Sequence, residues 1–79
     1  MMQAIYAAKR RKGSIIQIHG VNYAVTYTRR IPLRDAARDH YEQAGYNSPW
    51  CLAESLAHSD PTLGWTSTVY IHYLQPVTP

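Results

Sequence analysis

Cysteine, phenylalanine and glycine are scarce in this 79-residue chain, which has one Cys (Cys51), no Phe and four isolated Gly. A single cysteine excludes an internal disulfide, and a lone thiol in a short chain is typical of a reducing compartment. We therefore expect a cytoplasmic protein. If the gene belongs to a phage, the same reasoning places the protein in the cytosol of the host cell. Isolated glycines exclude a glycine-rich phosphate-binding loop. The basic residues follow the short apolar N-terminus, which argues against a signal peptide, and no apolar run is long enough to cross a membrane.

The small size of the chain limits its stability. A domain of this length buries only roughly 60% of the surface that its unfolded chain exposes. Domains of this kind commonly add disulfides, a metal or a second subunit. Disulfides are excluded here, so a homodimer is one open possibility. Hydrophobic residues make up 46% of the sequence and charged residues 16%, which predicts a folded domain.

Hydrophobic periodicity predicts six elements in the order β-β-β-α-α-β. Apolar alternation is clearest in the third strand, and the period becomes helical after Pro32. Ser48 and Pro49 form a helix start, a capping hydroxyl followed by proline in the first turn. The predicted strands are 2–8, 14–19, 21–28 and 65–74, and the predicted helices are 33–44 and 49–57.

This order predicts an α+β fold with a single domain, residues 1–79. The turn at His19-Gly20, or at Gly20-Val21-Asn22, joins the second and third strands, and we expect the first three strands to form an antiparallel meander. The fourth strand completes a four-stranded antiparallel sheet with both helices packed on one face. Residues 75–79 are expected to form a frayed tail.

Charge is distributed very unevenly along the chain. The first 38 residues hold all eight Lys and Arg and one Asp, a net +7, whereas the rest of the chain holds four carboxylates and no cation, a net −4, which together give +3. In a meander, the 9–12 loop and Arg29-Arg30 would lie at one end of the sheet, where the first helix also starts. We therefore predict one partner-binding basic end, formed by Lys9, Arg10, Arg11, Lys12, Arg29, Arg30, Arg34 and Arg38.

Two kinds of partner fit such a basic end. An acidic surface of a protein or protein complex is the first, because complementary charge guides and orients association. Nucleic acid, held through its phosphates, is the second. The structural alternative is that the loop cations are simply solvated and that Arg38 pairs with Glu42 or Asp35.

Candidate catalytic and metal-binding residues are few. The spacing of the possible soft ligands matches no paired zinc pattern, so we expect no metal and no cofactor; these residues are His19, His40, His58, His72 and Cys51. His40 and His72 are more typical of hydrogen-bonded structural histidines. Cys51 would begin a helix, where a thiol can be activated, and with His58 or His72 and Asp60 a nucleophilic site is conceivable. A buried, inert Cys51 is the simpler interpretation, and we predict no enzymatic activity.

The two tryptophans, Trp50 and Trp65, flank the second predicted helix and the loop after it. Core packing is the ordinary role for this residue, and we expect it here. If either indole is exposed, it becomes the best anchor for a protein partner.

These observations predict a non-enzymatic interaction protein. A very small, tyrosine-rich chain without motifs is typical of phage or mobile-element proteins that inhibit a host or defence complex by covering a surface, as anti-CRISPR proteins do. That likeness is one of size and composition only. The alternative is a nucleic-acid-binding module that contacts phosphates through the same basic residues.

Overall fold

Four strands and two helices follow one another in the predicted order, and the computed structural model describes residues 2–77. The α+β prediction is confirmed. The elements are β1 (Met2–Tyr6), β2 (Ile15–Ile18), β3 (Val21–Pro32), α1 (Leu33–His40), α2 (Pro49–Ser59) and β4 (Thr68–Pro76).

The strand order corrects the predicted meander. The sheet is antiparallel with the order β1-β4-β3-β2, so β4 lies between β1 and β3, and β1 does not pair with β2. The β2–β3 hairpin is confirmed, and its turn is His19-Gly20, where both residues have positive φ (50° and 78°). Two such residues suit the right-handed twist of a two-residue hairpin.

The central position of β4 explains its nearly continuous apolar sequence. Val69 and Ile71 are buried on one face of the sheet, and His72 and Leu74 are buried on the other. A strand that is covered on both faces cannot show the polar alternation of an edge strand. The fourth strand is thus the centre of the fold.

Two apolar clusters pack on opposite faces of the sheet. The larger one joins both helices to the sheet and contains Leu33, Ala36, Leu52, Leu56 and Ile71 among others. We call this face the helix side. The smaller cluster, on the face that carries no helix, consists of Ala4, Ile16, Val25 and Leu74.

A β-bulge at Thr26 changes which β3 residues face the helices. Val25 pairs with Leu74, but Tyr27 pairs with the next residue of β4, Tyr73, so Thr26 is the extra residue. Cross-strand partners point to the same face of a sheet. Val25 and Tyr27 were predicted to share a face, and the bulge places them on opposite faces.

Eight element ends differ from the prediction, among them the C-terminal end of β1, which stops at Tyr6, and that of β3, which extends to Pro32. Helix α1 ends at His40 instead of residue 44, and turns continue to Gly45, whose positive φ (88°) ends the segment. Helix α2 begins as predicted, since the Ser48 side chain accepts a hydrogen bond from the Cys51 N–H at 3.1 Å, and it runs to Ser59. Strand β4 includes residues 75–76, which were predicted to fray; residues 78–79 of that tail lie outside the described residues.

The link between β1 and β2, residues 7–14, has to cross the sheet. It joins two strands at opposite edges, so it passes over β4 and β3 on the face that carries no helix. We call it the crossover loop and this face the crossover side. The loop contains half of the basic residues of the chain.

Candidate binding surfaces

The crossover loop is held in place by a buried histidine. His72 has no solvent exposure, and its Nε2 accepts a hydrogen bond from the Arg10 backbone N–H at 2.9 Å. Because a backbone N–H can only donate, Nε2 carries no hydrogen, and Nδ1–H donates to the Ala4 carbonyl oxygen at 3.1 Å. Burial is the main reason that the pKa of His72 is lowered. The predicted structural role of His72 is consistent with these contacts.

An aromatic stack covers this histidine. The Tyr6 ring lies 5.2 Å from the His72 ring, and the Arg10 guanidinium lies over Tyr6 at 4.6 Å from its centroid. A guanidinium over a phenol ring is a favourable cation–π arrangement. Both the backbone and the side chain of Arg10 are therefore fixed on the crossover side.

The structure divides the eight predicted site residues into two groups. Five lie on the crossover side or in its loop: Lys9, Arg10, Arg11, Lys12 and Arg30, the last of which pairs across strands with Tyr70. We call these five the crossover cations. Arg29 pairs with Ile71 and so faces the helix side, where α1 carries the other two, Arg34 and Arg38. The expected single basic end is thus two separate sets, because β4 is inserted and adjacent residues of β3 alternate between faces.

The cations on α1 are neutralised locally. Asp35 lies 3.7 Å from Arg34 and 3.5 Å from Arg38, and Arg38 also binds both carboxylate oxygens of Asp39 at 2.9 Å. That hydrogen-bonded guanidinium lowers the pKa of Asp39, and the charge of Arg29 adds to the effect. Pairing of Arg38 with Asp35, the structural alternative, is observed. Within residues 2–77, the crossover cations form no ion pair of this kind.

A groove separates the crossover loop from β3. At the end of the loop, the Gly13 N–H donates to the Val25 carbonyl at 2.7 Å, and the Val25 N–H donates to the Ser14 carbonyl at 3.0 Å. The loop residues before Gly13 are separated from β3. The space that opens there encloses about 460 Å³ and is lined by Lys9, Arg11 and Lys12 on the loop and by Thr26, Tyr27 and Thr28 on the strand. One wall therefore offers positive charge, and the other is formed by two threonines and Tyr27, whose ring lies beside Tyr73 at the open edge of the sheet and faces the helix side.

Both tryptophans are exposed, which contradicts the predicted core packing. Trp50 is 66% exposed and Trp65 is 47% exposed, and their ring centroids lie 6.3 Å apart. The indoles form one wall of an apolar cleft of about 350 Å³, whose other lining residues are Leu33, Ala53, Glu54, Ala57, Leu63 and Gly64. We call it the tryptophan cleft.

The local sequence explains the exposure of both indoles. Helix α2 turns Leu52, Ala53 and Leu56 toward the sheet, and Trp50 at its second position lies outside that stripe. The predicted strand 65–74 begins only at Thr68, so Trp65 lies in the preceding loop. Sequence periodicity missed the cleft because it treats every tryptophan as a core residue.

The Trp65 loop is nevertheless well fixed. The Trp65 carbonyl accepts from the Arg34 N–H at 2.9 Å, and the Ser67 carbonyl accepts from the Leu33 N–H at 2.8 Å. These bonds satisfy the first N–H groups of α1, which has no side-chain cap. The cleft is thus built on the start of α1 and on α2, which makes it a preformed site.

The remaining candidate residues do not converge on one site. Cys51 is exposed, which corrects the expected burial, and it lines a shallow depression on α2 with His58. His72 is engaged at both ring nitrogens on the far side of the sheet, so it cannot assist Cys51. His40 Nδ1 lies 3.2 Å from Gln3 Oε1. In the described part of the chain, no three His, Cys, Asp or Glu side chains cluster as metal ligands do.

Comparison with known proteins gives no match to a family model, to a curated protein or to a solved structure. No helix formed by residues 2–77 is long and apolar enough to span a membrane. Function therefore has to be inferred from the chemistry of the two surfaces.

Proposed function

We propose that this chain is a non-enzymatic interaction protein that binds an apolar segment of a partner protein in its tryptophan cleft. The observation that carries this proposal is the exposure of Trp50 and Trp65, the only tryptophans of the sequence, side by side on a preformed apolar cleft. Tryptophan is the residue most enriched among binding hot spots. The docking surface proposed here is the cleft and not the basic residues that sequence reasoning favoured.

The shape of the cleft defines what can occupy it. At a centroid separation of 6.3 Å the two indoles pack against each other, so no third group fits between them and they act as one continuous wall. The floor of the cleft lies deep below the indoles because it is formed by Ala53 and Ala57, one helical turn apart on α2, which present only methyl groups. An aliphatic side chain fits this floor.

Charge and openness favour a protein over a small molecule. Of the described residues, 2–77, Glu54 is the one charged residue that lines the cleft, so the occupant is held by apolar contact. Small-molecule sites bury about 70–90% of their ligand. A wall of indoles that remain half to two-thirds exposed cannot enclose a ligand to that extent. A side chain presented by a protein segment needs no such enclosure. A chain that covers a functional surface of its partner in this way would act as an inhibitor.

The test is a selection of peptides from a displayed library, followed by titration of the synthetic peptides. Both tryptophans of the sequence line the cleft, so a shift of intrinsic fluorescence to shorter wavelength reports its occupation directly. We expect selected peptides to share an aliphatic residue and to lose about 2 kcal/mol or more of binding energy, roughly thirtyfold in Kd, with Trp50→Ala.

Two further variants make the test specific. Ala57→Leu keeps both indoles but fills the floor, so it should block the same peptides. Ile15→Ala removes an exposed apolar side chain on β2, away from the cleft, and should leave Kd unchanged. Peptides whose affinity is insensitive to Trp50→Ala and Ala57→Leu would exclude the cleft as the docking site. Concentration-dependent dimerisation that Trp50→Ala abolishes would instead assign the cleft to a second copy of this chain.

A further inference from the structure

We propose that the groove between the crossover loop and β3 binds a single strand of nucleic acid. This site lies on a different part of the molecule from the tryptophan cleft and does not depend on the protein partner proposed for it. Its two walls, three cations on the loop and three hydroxyl-bearing residues on the strand, match the two components of a nucleic acid strand, its phosphates and its sugars and bases.

The cations of the groove are held in position. The crossover loop is fixed at its middle by the Arg10 N–H bond to His72 at 2.9 Å, and at its end by the Gly13 N–H bond to the Val25 carbonyl at 2.7 Å. The Ser14 N–H also bonds to the Arg11 carbonyl at 3.0 Å, which forms a turn inside the loop. An ordered loop loses less conformational entropy when it binds than a free basic tail would.

The charge of this loop is left for a ligand. Arg34 and Arg38 on α1 have carboxylates within 4 Å, whereas the crossover cations have no such partner among residues 2–77. Lys9, Arg11 and Lys12 line the groove itself. Arg30 lies on the same side of the sheet and adds to the positive potential there. Concentrated, unpaired positive charge is what a phosphate backbone neutralises when its counterions are released.

Strand β3 supplies hydrogen bonding along the groove and a stacking surface at its open edge. Strand β2 pairs with β3 as far as Ala24, and Gly13 and Ser14 of the loop bond to Val25, so Thr26–Thr28 lie at the open edge of the sheet. Tyr27 is 62% exposed, and its ring is supported by Tyr73 at 5.6 Å. A phenol that is both exposed and backed by a second ring is a platform on which an unpaired base can stack. Because Tyr27 pairs with Tyr73, this ring faces the helix side, so a strand whose phosphates lie along the crossover loop reaches it by passing over the open edge of β3.

A single strand fits this groove better than a duplex. Stacking on Tyr27 requires a base whose face is free, and bases of a duplex are stacked on their neighbours. Helix α1 follows β3 directly, but its cations are engaged by Asp35 and Asp39, so it is poorly suited to enter a major groove. We therefore assign the groove to single-stranded DNA or RNA.

The experiment is fluorescence anisotropy with labelled oligothymidylate, oligouridylate and a duplex of equal length, about 15 nucleotides. Titrations at about 50 and about 150 mM salt give the salt dependence. We expect both single strands to bind at least tenfold more tightly than the duplex. With about four phosphates engaged, the slope of log affinity against log salt should be about −3. A tighter Kd for oligouridylate would identify RNA as the substrate, and a tighter Kd for oligothymidylate would identify DNA.

Matched variants locate the binding site. Arg11→Gln with Lys12→Gln removes two groove charges, and Arg34→Gln with Arg38→Gln removes two charges from α1. The first pair should weaken binding about fivefold or more and reduce the slope by about 1.4, whereas the second should change Kd less than twofold at about 150 mM salt. Tyr27→Leu should weaken single-strand binding about fivefold or more and leave the slope unchanged.

Three results would overturn the proposal. One is the absence of single-strand binding at low salt. Another is equal weakening by the two charge pairs, which would show only the effect of net charge. The third is a duplex that binds as tightly as the single strands, with no effect of Tyr27→Leu. Binding of polyglutamate that is also lost with Arg11→Gln and Lys12→Gln, without binding of either single strand, would assign the groove to an acidic protein. None of these results bears on peptide binding in the tryptophan cleft.

Discussion

Protonation of His72 should destabilise the fold and release the crossover loop. The ring is fully buried, with Nε2 accepting from the Arg10 N–H and Nδ1 donating to the Ala4 carbonyl. A second proton would sit on Nε2 and point at the Arg10 N–H, so two hydrogen-bond donors would face each other and the bond would be lost. Among residues 2–77 no carboxylate acts on the ring, and the positive charge of Arg10 further opposes protonation.

The sign of the pH effect follows from the lowered pKa of His72. The unfolded chain, in which histidine has its ordinary pKa of 6.5, binds the proton more readily than the folded chain. The free energy of unfolding is therefore unaffected well above pH 6.5 and decreases as the pH falls through that value. It stops decreasing only when the pH falls below the pKa of the folded state.

The size of the effect can be calculated from linkage. Each pH unit between the ordinary pKa of 6.5 and the lowered pKa of the folded state removes about 1.4 kcal/mol from the free energy of unfolding. The upper limit of the loss at about pH 5 is therefore about 2 kcal/mol, which is measurable in a domain whose total stability is about 4–12 kcal/mol. The middle of the loop should also detach first, because protonation breaks the Arg10–His72 bond and leaves the bonds of Gly13 and Ser14 to Val25 intact.

Urea denaturation followed by far-ultraviolet circular dichroism, in steps from about pH 7.5 to about pH 5, measures this loss. Hydrogen exchange at the Arg10 amide reports the release of the loop at the same pH values. His72→Leu is the control: it leaves two backbone groups unpaired and should cost about 1–3 kcal/mol at neutral pH, but it removes the titrating group. The carboxylates whose pKa is lowered, Asp39 and Asp60, titrate at lower pH and are common to both proteins.

The decisive comparison is the difference in pH dependence between the two proteins. If the wild type and His72→Leu lose stability in parallel between pH 7.5 and pH 5, His72 is not the responsible group and the assigned hydrogen-bond pattern is wrong.

Two further predictions concern helix α2. Ser48→Ala should lower the free energy of unfolding by about 1 kcal/mol, because the hydroxyl caps the Cys51 N–H, and Ser48→Asp should retain most of that stability; equal urea midpoints for wild type and Ser48→Ala would contradict this cap. Cys51 is exposed, so native protein should react with a thiol reagent as fast as protein in urea. Protection of Cys51 in the native state would contradict the exposure, and Cys51→Ser should leave peptide binding in the tryptophan cleft unchanged.

Local sequence signals predicted the elements because each signal acts over a few residues. The positive φ of His19 and Gly20 forms the β2–β3 turn, and Ser48-Pro49 starts α2, as predicted. Both interactions lie within one turn of chain and do not depend on the rest of the fold. Gly45, the predicted end of α1, marks instead the end of the turns that follow it, because the helix itself stops at His40.

The candidate sites were predicted less well. Five of the eight cations share a side of the sheet, but Arg29 and Arg30 lie on opposite faces because side chains alternate along a strand. The exposure of Trp50 and Trp65 was considered as a possibility and not expected. It depends on where β4 begins, three residues after Trp65, and hydrophobicity alone does not define that boundary.

The sequence by itself determined the α+β class, the order of the elements, the hairpin turn and the cap of α2, since short-range sterics and hydrogen bonds decide these. Tertiary structure decided that β4 enters between β1 and β3. The apolar run Val69–Leu74 gains more by burying both faces at the centre of a sheet than by covering an edge, and only the assembled chain offers that place. That insertion sends the crossover loop over His72, separates its cations from those of α1, and so creates the groove.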